Sequence, residues 1–373
     1  MASSPAQFAD SPTTRLTVNL GALAANWCKM RDLSGSARCA AAVKADAYGT
    51  GAAQVAPRLA REGCRDFFIA EASEGARLRP LLPDARIYVL NGVFEGSFAQ
   101  TLAHDLIPVI NSPEQAAFWR ENAGGRAYAL HIDTGMNRLG LTPEQAVAHA
   151  GNGGPPPCLV MSHFACADDP KHPLNAHQIK IFAGLKPSFP GIEASLANSA
   201  GIHLGPAAHH QLTRPGIALY GGEPVNGVAN RMRCVVTAET RVLVVRQAKA
   251  GETVSYGATH LLTRDSRIAI CGAGYADGYP RAGSGAGVPL RSTVPNGASA
   301  AINGIRIPVI GKITMDLTMF DVTDLPGEAI KAGDWVELLG PTVTLEEASE
   351  AAGTVSYEML TSLGHRYSRH YIA

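Results

Sequence analysis

The segment Cys39-Ala40-Ala41-Ala42-Val43-Lys44-Ala45-Asp46-Ala47-Tyr48-Gly49 runs from an apolar strand directly into a charged turn. Its first residues are small or β-branched, as in a strand that is buried on both faces of a parallel sheet. A charged side chain seldom follows such a strand unless it borders a pocket. Lys44 is therefore a candidate imine-forming nucleophile or general base, because loss of water contact lowers the pKa of an ammonium group. The alternative is that Lys44 only caps the strand and extends to water.

This strand is the first of several apolar segments that alternate with helical or loop segments. Such alternation implies a parallel sheet, and eight units in about 200 residues fit a (β/α)8 TIM-like barrel better than an open doubly wound sheet. In a barrel of this kind the active site lies at the carboxyl ends of the strands, where Lys44 is placed. The eight candidate strands are Cys39–Lys44, Asp66–Ala70, Ile87–Leu90, Leu106–Ile110, Ala127–Ile132, Cys158–Ser162, Glu193–Ala197 and Gly216–Tyr220.

Two helices are indicated near the start of the barrel. The first covers Leu20–Met30, and the second follows Lys44 with an apolar stripe that runs from Ala52 to Ala60. Pro57 lies inside this second pattern, so the helix is expected to be kinked or to begin later.

A second domain begins after Tyr220-Gly221-Gly222-Glu223-Pro224, where the sequence becomes rich in Val, Ile and Thr. We expect a barrel over residues 13–232, a mostly β domain over 233–373, and a disordered tail over 1–12. The early strand Thr14–Asn19 is expected to pack with the second domain. Asn303-Gly304 predicts a tight hairpin, and Thr344 with Glu347 predicts a helix cap. The candidate strands are Val235–Val245, Arg267–Cys271, Ala298–Ile302, Ile305–Ile310, Leu317–Val322 and Trp335–Leu339.

Composition excludes several classes of protein. The 373 residues are 46% hydrophobic and 17% charged, with a formal net charge of zero, so no basic surface for nucleic acid is indicated. The seven Cys lack CxxC spacing, which favours a reducing compartment and offers no metal site. No export signal or apolar run of membrane-spanning length is found. We expect a cytoplasmic protein without a membrane partner.

Polar residues follow several of the candidate strands. His131-Ile132-Asp133-Thr134-Gly135-Met136-Asn137-Arg138-Leu139-Gly140 ends the fifth strand, and its arginine could clamp a carboxylate or form a loop-stabilising pair with Asp133. His163 follows the sixth strand, where a lone histidine is usually structural. Asn198-Ser199 follows the seventh, and Thr213-Arg214-Pro215-Gly216-Ile217 opens the eighth. Hydroxyl groups and glycines at these positions are typical of a phosphate site.

The second domain places tyrosines beside glycines in Val254-Ser255-Tyr256-Gly257 and in Gly274-Tyr275-Ala276-Asp277-Gly278-Tyr279-Pro280. A phenol serves as a base at neutral pH only beside positive charge, because its ordinary pKa is about 10. Aromatic turn residues without a catalytic role are the alternative.

Taken together, these segments resemble the alanine racemase family, which consists of fold-type III enzymes that depend on pyridoxal phosphate. The resemblance extends from about Thr14 to Tyr371. Its strongest motifs are Ala41–Gly49, which is similar to the cofactor-attachment signature of the family, and Val254–Gly257. Finding both in one chain favours the catalytic interpretation of Lys44 over the strand cap.

The resemblance implies a role for each matching residue. Lys44 would hold the cofactor and act on the α-hydrogen from one face, while Tyr256 of the partner subunit would act from the other. Arg214 would face the pyridine nitrogen, with His163 beside it. The residues implied for the phosphate are Tyr48, Ser199, Gly216, Ile217 and Tyr357, and those implied for the substrate are Arg138, Met315, Asp316 and Tyr275.

Two positions depart from the family pattern. His131 stands where many members have a lysine, often carbamylated, that bonds to the arginine equivalent to Arg138. We expect an anion such as chloride, or a nearby side chain, to replace the carbamate. Thr314 replaces a cysteine that often precedes Met-Asp, and we expect no effect of this change.

The resemblance implies a homodimeric racemase with shared active sites that interconverts L- and D-alanine by two bases and supplies D-alanine for peptidoglycan. A broad-specificity amino-acid racemase is one alternative, although an export signal would be expected there. A non-catalytic pyridoxal-phosphate carrier is another, but carriers lack the β domain and the equivalent of Tyr256. A decarboxylase of this fold type would need a cysteine motif in the second domain that is not found.

Overall fold

The computed structural model describes residues 13–373, so the prediction for the tail over 1–12 lies outside the described residues. The described chain divides into two compact units, each considered by itself. One comprises residues 23–233, and the other comprises 234–373 together with the described residues up to Ala22.

Short strands alternate with helices through the first unit, and strands predominate in the second. The strands are β1 (Thr14–Asn19), β2 (Arg38–Cys39), β3 (Ala41–Ala42), β4 (Asp66–Ile69), β5 (Arg86–Val89), β6 (Ile107–Ile110), β7 (Ala129–His131), β8 (Leu159–Met161), β9 (Glu193–Ser195), β10 (Leu212–Thr213), β11 (Val236–Ala248), β12 (Thr253–Val254), β13 (His260–Leu261), β14 (Ser266–Cys271), β15 (Ser299–Ile302), β16 (Ile305–Pro308), β17 (Thr318–Asp321), β18 (Trp335–Leu339) and β19 (Ser368–Ile372).

Both helices predicted near the start of the chain are present as right-handed helices, but the second starts at Ala52, so the later start expected from Pro57 is not seen. The first helix begins at the predicted Leu20, and Pro57 lies inside a helix that begins at Ala52. The helices are Leu20–Leu33, Ala52–Arg61, Ala72–Leu78, Glu95–Ala103, Pro113–Asn122, Pro143–Gly151, Pro173–Leu185, Pro206–His209, Leu345–Ala352 and Ser356–Thr361.

The first unit is the expected parallel barrel. Strands β3 to β9 form one parallel sheet in sequence order, and β10 pairs in parallel with β2. Backbone hydrogen bonds join the ends of the sheet through β10: Gln211 N donates to Ala194 O, and Ala40 N donates to Thr213 O. Apolar side chains from successive strands form one buried cluster, among them Phe68, Tyr88, Val109, Ala129, Leu159 and Met161.

The eighth strand lies earlier than predicted. The prediction of a strand over Gly216–Tyr220 was wrong, because Ile217–Tyr220 forms a 3-10 turn and β10 supplies the eighth strand. A strand and a 3-10 turn would each bury the apolar residues Ile217–Tyr220, so hydrophobicity alone did not distinguish the two conformations. Arg214 and Gly216 consequently follow the eighth strand instead of opening it, which places them at its carboxyl end.

A network of charges lies at the opposite, amino ends of the strands. Asp66 is 1% exposed and pairs with Arg86 at 2.8 Å and with Arg38 at 3.4 Å. Arg38 also forms a bidentate salt bridge with Glu193, in which both N–O distances are 2.6 Å. These residues begin strands β2, β4, β5 and β9, so the network ties the two ends of the sheet together across β10.

Replacing Asp66 by Asn is expected to destabilise the protein without slowing its chemistry. The variant replaces the buried carboxylate by a neutral amide and weakens its charge-assisted hydrogen bonds to two arginines, a loss of about 2 kcal/mol in the free energy of unfolding. Urea unfolding measures the loss, and kcat should stay within about twofold because the site lies at the other end of the strands. Asp32→Asn is the matched control, since Asp32 pairs with Arg31 in solvent and should cost under about 1 kcal/mol. Equal losses in the two variants would contradict the role of the network.

The second unit is mostly β, and the six predicted strands of this region are confirmed as β11 and β14–β18. The sheet has the order β16-β15-β18-β11-β1-β19, and β14 joins β11 to β17. Strand β1 pairs with β11 and β19. The Asn303-Gly304 hairpin is confirmed, with φ of 49° and 77°. Thr344 and Glu347 form the predicted reciprocal cap. The short strands β12, β13 and β19 were not predicted.

Within residues 13–373, no helix has the length and apolar character needed to cross a membrane.

Candidate active site

Lys44 lies two residues beyond the end of β3 and begins a left-handed turn that runs to Tyr48. Residues Ala45 to Tyr48 have φ between 53° and 57°, although none of them is glycine. In this conformation the Cβ atom crowds the following carbonyl oxygen, at a cost of roughly 1–2 kcal/mol per residue. Conformational strain is thus concentrated directly after the candidate nucleophile.

Hydrogen bonds offset this strain. Ala47 N donates to Val43 O at 2.9 Å inside the turn. From outside, the Glu74 carboxylate accepts a hydrogen bond from Ala45 N at 2.7 Å. The Asp46 carboxylate accepts another from the N–H group of the helix that follows, also at 2.7 Å. The turn is held at both ends, and the backbone direction of Lys44 is fixed with it.

Burial and a nearby cation act on the ammonium group of Lys44. Lys44 is half-buried; burial and then the Arg138 guanidinium lower its pKa, while Glu74 acts in the opposite direction. A lowered pKa enlarges the neutral fraction at neutral pH, which is the form that attacks a carbonyl or removes a proton. The surroundings of Lys44 suit a nucleophile or base better than a strand cap.

Arg214 is a buried cation whose bonded partners are neutral. It is 5% exposed, and its guanidinium donates to Ser195 Oγ, to Ser162 O at 2.6 Å and to His163 Nδ1 at 3.3 Å. No acidic side chain within residues 13–373 bonds to it. Burial lowers the pKa of Arg214 to about 9, so it remains protonated at neutral pH. A desolvated cation with neutral partners favours an electron-rich or anionic ligand beside it.

His163 is held neutral beside this arginine. Because Nδ1 accepts the hydrogen bond from Arg214, the ring proton is assigned to Nε2. Burial, and then the charge of Arg214, hold the pKa of His163 well below its ordinary value. The structure therefore places His163 next to Arg214, as the resemblance implied.

A polar cradle lies after strands β9 and β10. Ser199 Oγ accepts hydrogen bonds from Gly216 N at 2.8 Å and from Ala218 N at 3.4 Å. The Tyr48 hydroxyl lies so close to Gly216 that a Cβ atom there would overlap it. The Tyr48 ring stacks on Tyr220, with centroids 4.5 Å apart. The hydroxyl groups of Tyr48 and Ser199 and the amide of Gly216 thus lie close together. A side chain on residue 216 would not fit beside them.

This cradle contains four of the five residues implied for a phosphate. Tyr48, Ser199 and Gly216 line it, and Ile217 begins the turn that supplies its amide groups. Amide and hydroxyl donors without a carboxylate are what a phosphate group accepts from. Gly216 has no Cβ, and Arg214 supplies a buried cation two residues earlier, so the chemistry of these residues suits an anionic group.

The loop that carries Arg138 is built around Asp133. The Asp133 carboxylate accepts hydrogen bonds from the backbone N–H groups of Gly135 and Met136, each at 2.8 Å, and of Arg138 at 3.2 Å. The alternative of a side-chain pair between Asp133 and Arg138 is therefore not seen. Asp133 shapes the loop, and the Arg138 side chain is left exposed.

His131 ends strand β7 and bonds to an amide that sequence reasoning had missed. Its Nδ1 lies 2.8 Å from Asn111 Oδ1, while Asn111 Nδ2 donates to Leu90 O and Val109 O. Since Asn111 uses its NH₂ group for these carbonyls, its oxygen accepts, and Nδ1 of His131 carries the proton. Its other ring nitrogen is then an acceptor.

His131 stands at the position where many family members have the lysine that bonds to the arginine equivalent to Arg138. Burial, followed by the charges of Arg214 and Arg138, lowers the pKa of His131 to about 4. No acidic side chain within residues 13–373 bonds to the Arg138 guanidinium, so the anion that we expect beside it stays a prediction.

Acid is expected to destabilise the protein through His131. Its pKa is about 4 in the fold and about 6.5 when unfolded, so the unfolded chain binds a proton first as pH falls. Stability is complete above pH of about 6.5 and declines by about 3 kcal/mol as pH falls to about 4. Urea unfolding across this pH range measures the loss of stability. The His131→Gln variant, which has no imidazole to protonate, should lack this loss. A variant with the same acid dependence as the wild type would contradict the assignment.

The other unit carries Tyr256, Tyr275, Met315 and Asp316, which are described here by themselves. Tyr256 is 74% exposed, Met315 53% and Tyr275 43%, so all three present large side chains at the surface of this chain. Tyr275 N donates to Thr314 O at 3.0 Å, which joins the two segments. Asp316 Oδ1 pairs with Arg366 at 2.6 Å.

Tyr357 lies on the helix Ser356–Thr361 and is 47% exposed. The chain after this helix packs against Gly278, where a Cβ atom would overlap Ser362 O. This close approach places the end of the Tyr357 helix beside the segment of Tyr275.

Sequence reasoning missed three supporting residues of the barrel site. Glu74 holds the strained turn, Asn111 orients His131, and Tyr220 stacks on Tyr48 and donates to Ala42 O at 2.8 Å. Only Tyr220 had a signal, as the aromatic end of a buried apolar run. Glu74 and Asn111 lie 29 and 20 residues from their partners, so local pattern could not reveal them.

Comparison with known proteins gives one consistent result. Residues 18–224 match the family model described as alanine racemase, N-terminal domain, and residues 235–371 match alanine racemase, C-terminal domain. The chain is 52% identical over 369 residues to the alanine racemase of Rhizobium meliloti, covering 97% of both chains. It is 53% identical over 365 residues to the biosynthetic alanine racemase of Agrobacterium fabrum, covering 96% of this chain and 93% of that one. A crystal structure of alanine racemase from Bartonella henselae with covalently bound pyridoxal phosphate is similar with a TM-score of 0.89 and 34% identity, covering 97% of this chain and 100% of that one.

Proposed function

Because the chain belongs to the alanine racemase family, we propose that it is a pyridoxal-phosphate-dependent enzyme that interconverts L- and D-alanine. The observation that carries this proposal is the placement of Lys44. This lysine, with a lowered pKa, lies at the carboxyl ends of the barrel strands, and Arg138 acts on its charge. The same strand ends carry the polar cradle of Tyr48, Ser199 and Gly216 and the buried cation of Arg214.

The barrel residues fit the cofactor. Tyr48, Ser199, Gly216 and Ile217 would hold the phosphate, joined by Tyr357 in the proposal. Lys44 would hold the aldehyde carbon covalently. Arg214 would face the pyridine nitrogen, with His163 bonded beside it. Since a guanidinium does not give up its proton at neutral pH, Arg214 would leave that nitrogen unprotonated.

Racemisation requires removing the α-hydrogen of alanine from one face and returning a proton to the other. Bound pyridoxal phosphate supplies the electron sink that makes this hydrogen removable. Lys44 Nζ takes or returns the proton on one face, and its lowered pKa favours the neutral form needed for this role. Tyr256 Oη serves the opposite face.

We propose that Tyr256 comes from the partner subunit of a homodimer. Its ring is 74% exposed on this chain, as expected for a side chain that works in another subunit. Strand β13, which pairs with β12 just before the Tyr256 turn, also exposes 59% of Leu261. Large apolar side chains exposed around a functional turn are typical of an interface.

The substrate carboxylate is assigned to Arg138, Met315 and Asp316, with Tyr275 at the entrance. Arg138 supplies a planar, exposed cation that suits a carboxylate. Asp133 orders its backbone by accepting its N–H group at 3.2 Å. The exposed side chains of Met315 and Tyr275 lie on segments joined by a backbone hydrogen bond, which supports assigning them to one region.

The proposed cellular role is supply of D-alanine for peptidoglycan by a cytoplasmic enzyme. A relative with a biosynthetic name at 53% identity supports the role. The seven free cysteines support a reducing compartment.

The deciding experiment is a racemisation assay of the purified protein with a panel of amino acids, with cofactor absorbance recorded in parallel. Turnover confined to alanine supports the proposal, and comparable turnover of many amino acids would instead indicate a broad-specificity racemase. Cofactor absorbance without turnover of either alanine enantiomer would contradict a catalytic role and leave a carrier.

A further inference from the structure

The residue before Tyr256 has a backbone conformation that is almost confined to glycine. Ser255 has φ 68° and ψ −175°, and Gly257 after the tyrosine has φ 75°. Non-glycine residues persist in such regions only where the surrounding structure holds them there. Tyr256 is mostly exposed, so the backbone of this turn, more than packing of the ring, sets its direction.

One side-chain hydrogen bond holds Ser255 in this conformation. Its Oγ donates to Lys312 O at 2.8 Å. The two backbones approach closely there: a Cβ atom on Gly311 would lie 2.8 Å from Ser255 Cβ and 2.9 Å from Val254 O. The Lys312 side chain also passes the turn, since a Cβ atom on Gly257 would lie 3.3 Å from its Nζ.

The segment that accepts this hydrogen bond continues to Met315 and Asp316, which are assigned to the substrate. Thr314 O and Met315 O accept hydrogen bonds from Tyr275 N and Ala276 N, each at 3.0 Å. The hydroxyl of Ser255 is therefore a side-chain link between the Tyr256 turn and the segment that would meet the carboxylate.

A glycine at position 255 would adopt the same φ and ψ without steric conflict. What serine adds is the hydroxyl group and its bond to Lys312 O. We infer that Ser255 is a positioning residue that holds the phenol of Tyr256 at a fixed place relative to the Met315-Asp316 segment. This inference rests on the proposed function and assigns within it a role to a residue that does not itself touch the substrate.

The test compares Ser255→Gly, which removes both hydroxyl and strain, with Ser255→Ala, which removes the hydroxyl alone. Each full-length variant, loaded with pyridoxal phosphate, is incubated in D₂O with L- or D-alanine, and α-deuterium incorporation is followed separately for each enantiomer. Thermal unfolding of the same samples reports stability. Ser266→Ala is the matched control, because Ser266 donates a comparable bond of 2.9 Å to Arg264 O.

For Ser255→Gly we expect stability at or above that of the wild type, yet exchange from the face served by Tyr256 slowed about 10- to 100-fold, the effect of misplacing a catalytic group by about 1 Å. Exchange from the Lys44 face should stay within about twofold. Ser255→Ala should slow the same face and also lose stability, and Ser266→Ala should change neither face.

Wild-type exchange from both faces in Ser255→Gly would overturn the inference and leave the proposed function standing. Equal slowing of both faces would also overturn it, because a general structural defect does not select one face. A wild-type protein unable to racemise alanine would overturn the proposed function and the inference with it.

Discussion

Replacing Lys44 by alanine will abolish racemisation, with a loss of at least about 10⁴-fold in kcat. In the proposed mechanism one substitution removes both the covalent attachment of the cofactor and the base on one face, and a positioned base alone contributes about 10²- to 10⁴-fold. The loss is measured by following optical rotation of L-alanine solutions. Borohydride treatment of the wild type, followed by peptide mass spectrometry, should fix the cofactor on Lys44.

Lys44→Arg is the matched variant for charge. It keeps a cation of similar length in the same place, but a guanidinium does not act as a nucleophile or base at neutral pH. We expect it to be nearly as inactive as the alanine variant. Recovery of more than about a tenth of wild-type activity would show that Lys44 contributes mainly charge, and would contradict its role as a base.

Replacing Tyr256 by phenylalanine will lower kcat/KM about 10²- to 10⁴-fold in both directions, because in the proposed mechanism the variant lacks the proton carrier on one face. Both directions must fall together, since the two enantiomers of alanine have equal free energies. The distinguishing measurement is α-deuterium exchange in D₂O. One enantiomer should continue to exchange through Lys44 without inversion, and the other should exchange slowly. Undiminished racemisation would refute the two-base assignment.

Mixing the two inactive variants tests whether Tyr256 works in the partner's site. A mixed dimer of Lys44→Ala and Tyr256→Phe chains contains one site with both wild-type residues if the sites are shared. Random mixing makes about half of the dimers mixed, so about a quarter of wild-type activity should return. If both bases came from one chain, no site would be complete and no activity would return.

Much of the fold follows from local pattern. The strands before β10 are short apolar runs bounded by turn residues, and their alternation with helices leaves few topologies. The Thr344–Glu347 cap and the Asn303-Gly304 hairpin depend on neighbouring residues alone, and both form as predicted. Sequence patterns therefore predict mainly those contacts that join residues close together in the chain.

The eighth strand shows where pattern fails. Leu212–Thr213 is two residues long, and it becomes a strand because β9 and β2 offer it hydrogen-bonding partners. Ile217–Tyr220 is more apolar and is buried, yet it coils into a 3-10 turn. Tertiary partners that are remote in sequence decided both outcomes.

The sequence predicted the site residues that belong to a recognisable motif. It did not predict the residues that support the site from far along the chain. Lys44, Arg138 and Arg214 follow strands, and the barrel brings them to one end. Nothing in Ala45–Tyr48 predicts a left-handed conformation, because the segment has no glycine and is held by Glu74 from 29 residues away. The neutral state of His131 likewise depends on burial and a distant amide.

The left-handed turn from Lys44 to Tyr48 also fixes the distance and direction between its first and last residues. A helical turn advances about 5.4 Å and brings residues four apart to nearly the same side. In the proposed function its first residue would hold the aldehyde carbon of the cofactor and its last residue would meet the phosphate. Inserting or deleting one residue would swing Tyr48 by about 100° around the turn axis. This segment should therefore accept some changes of side chain but no change of length.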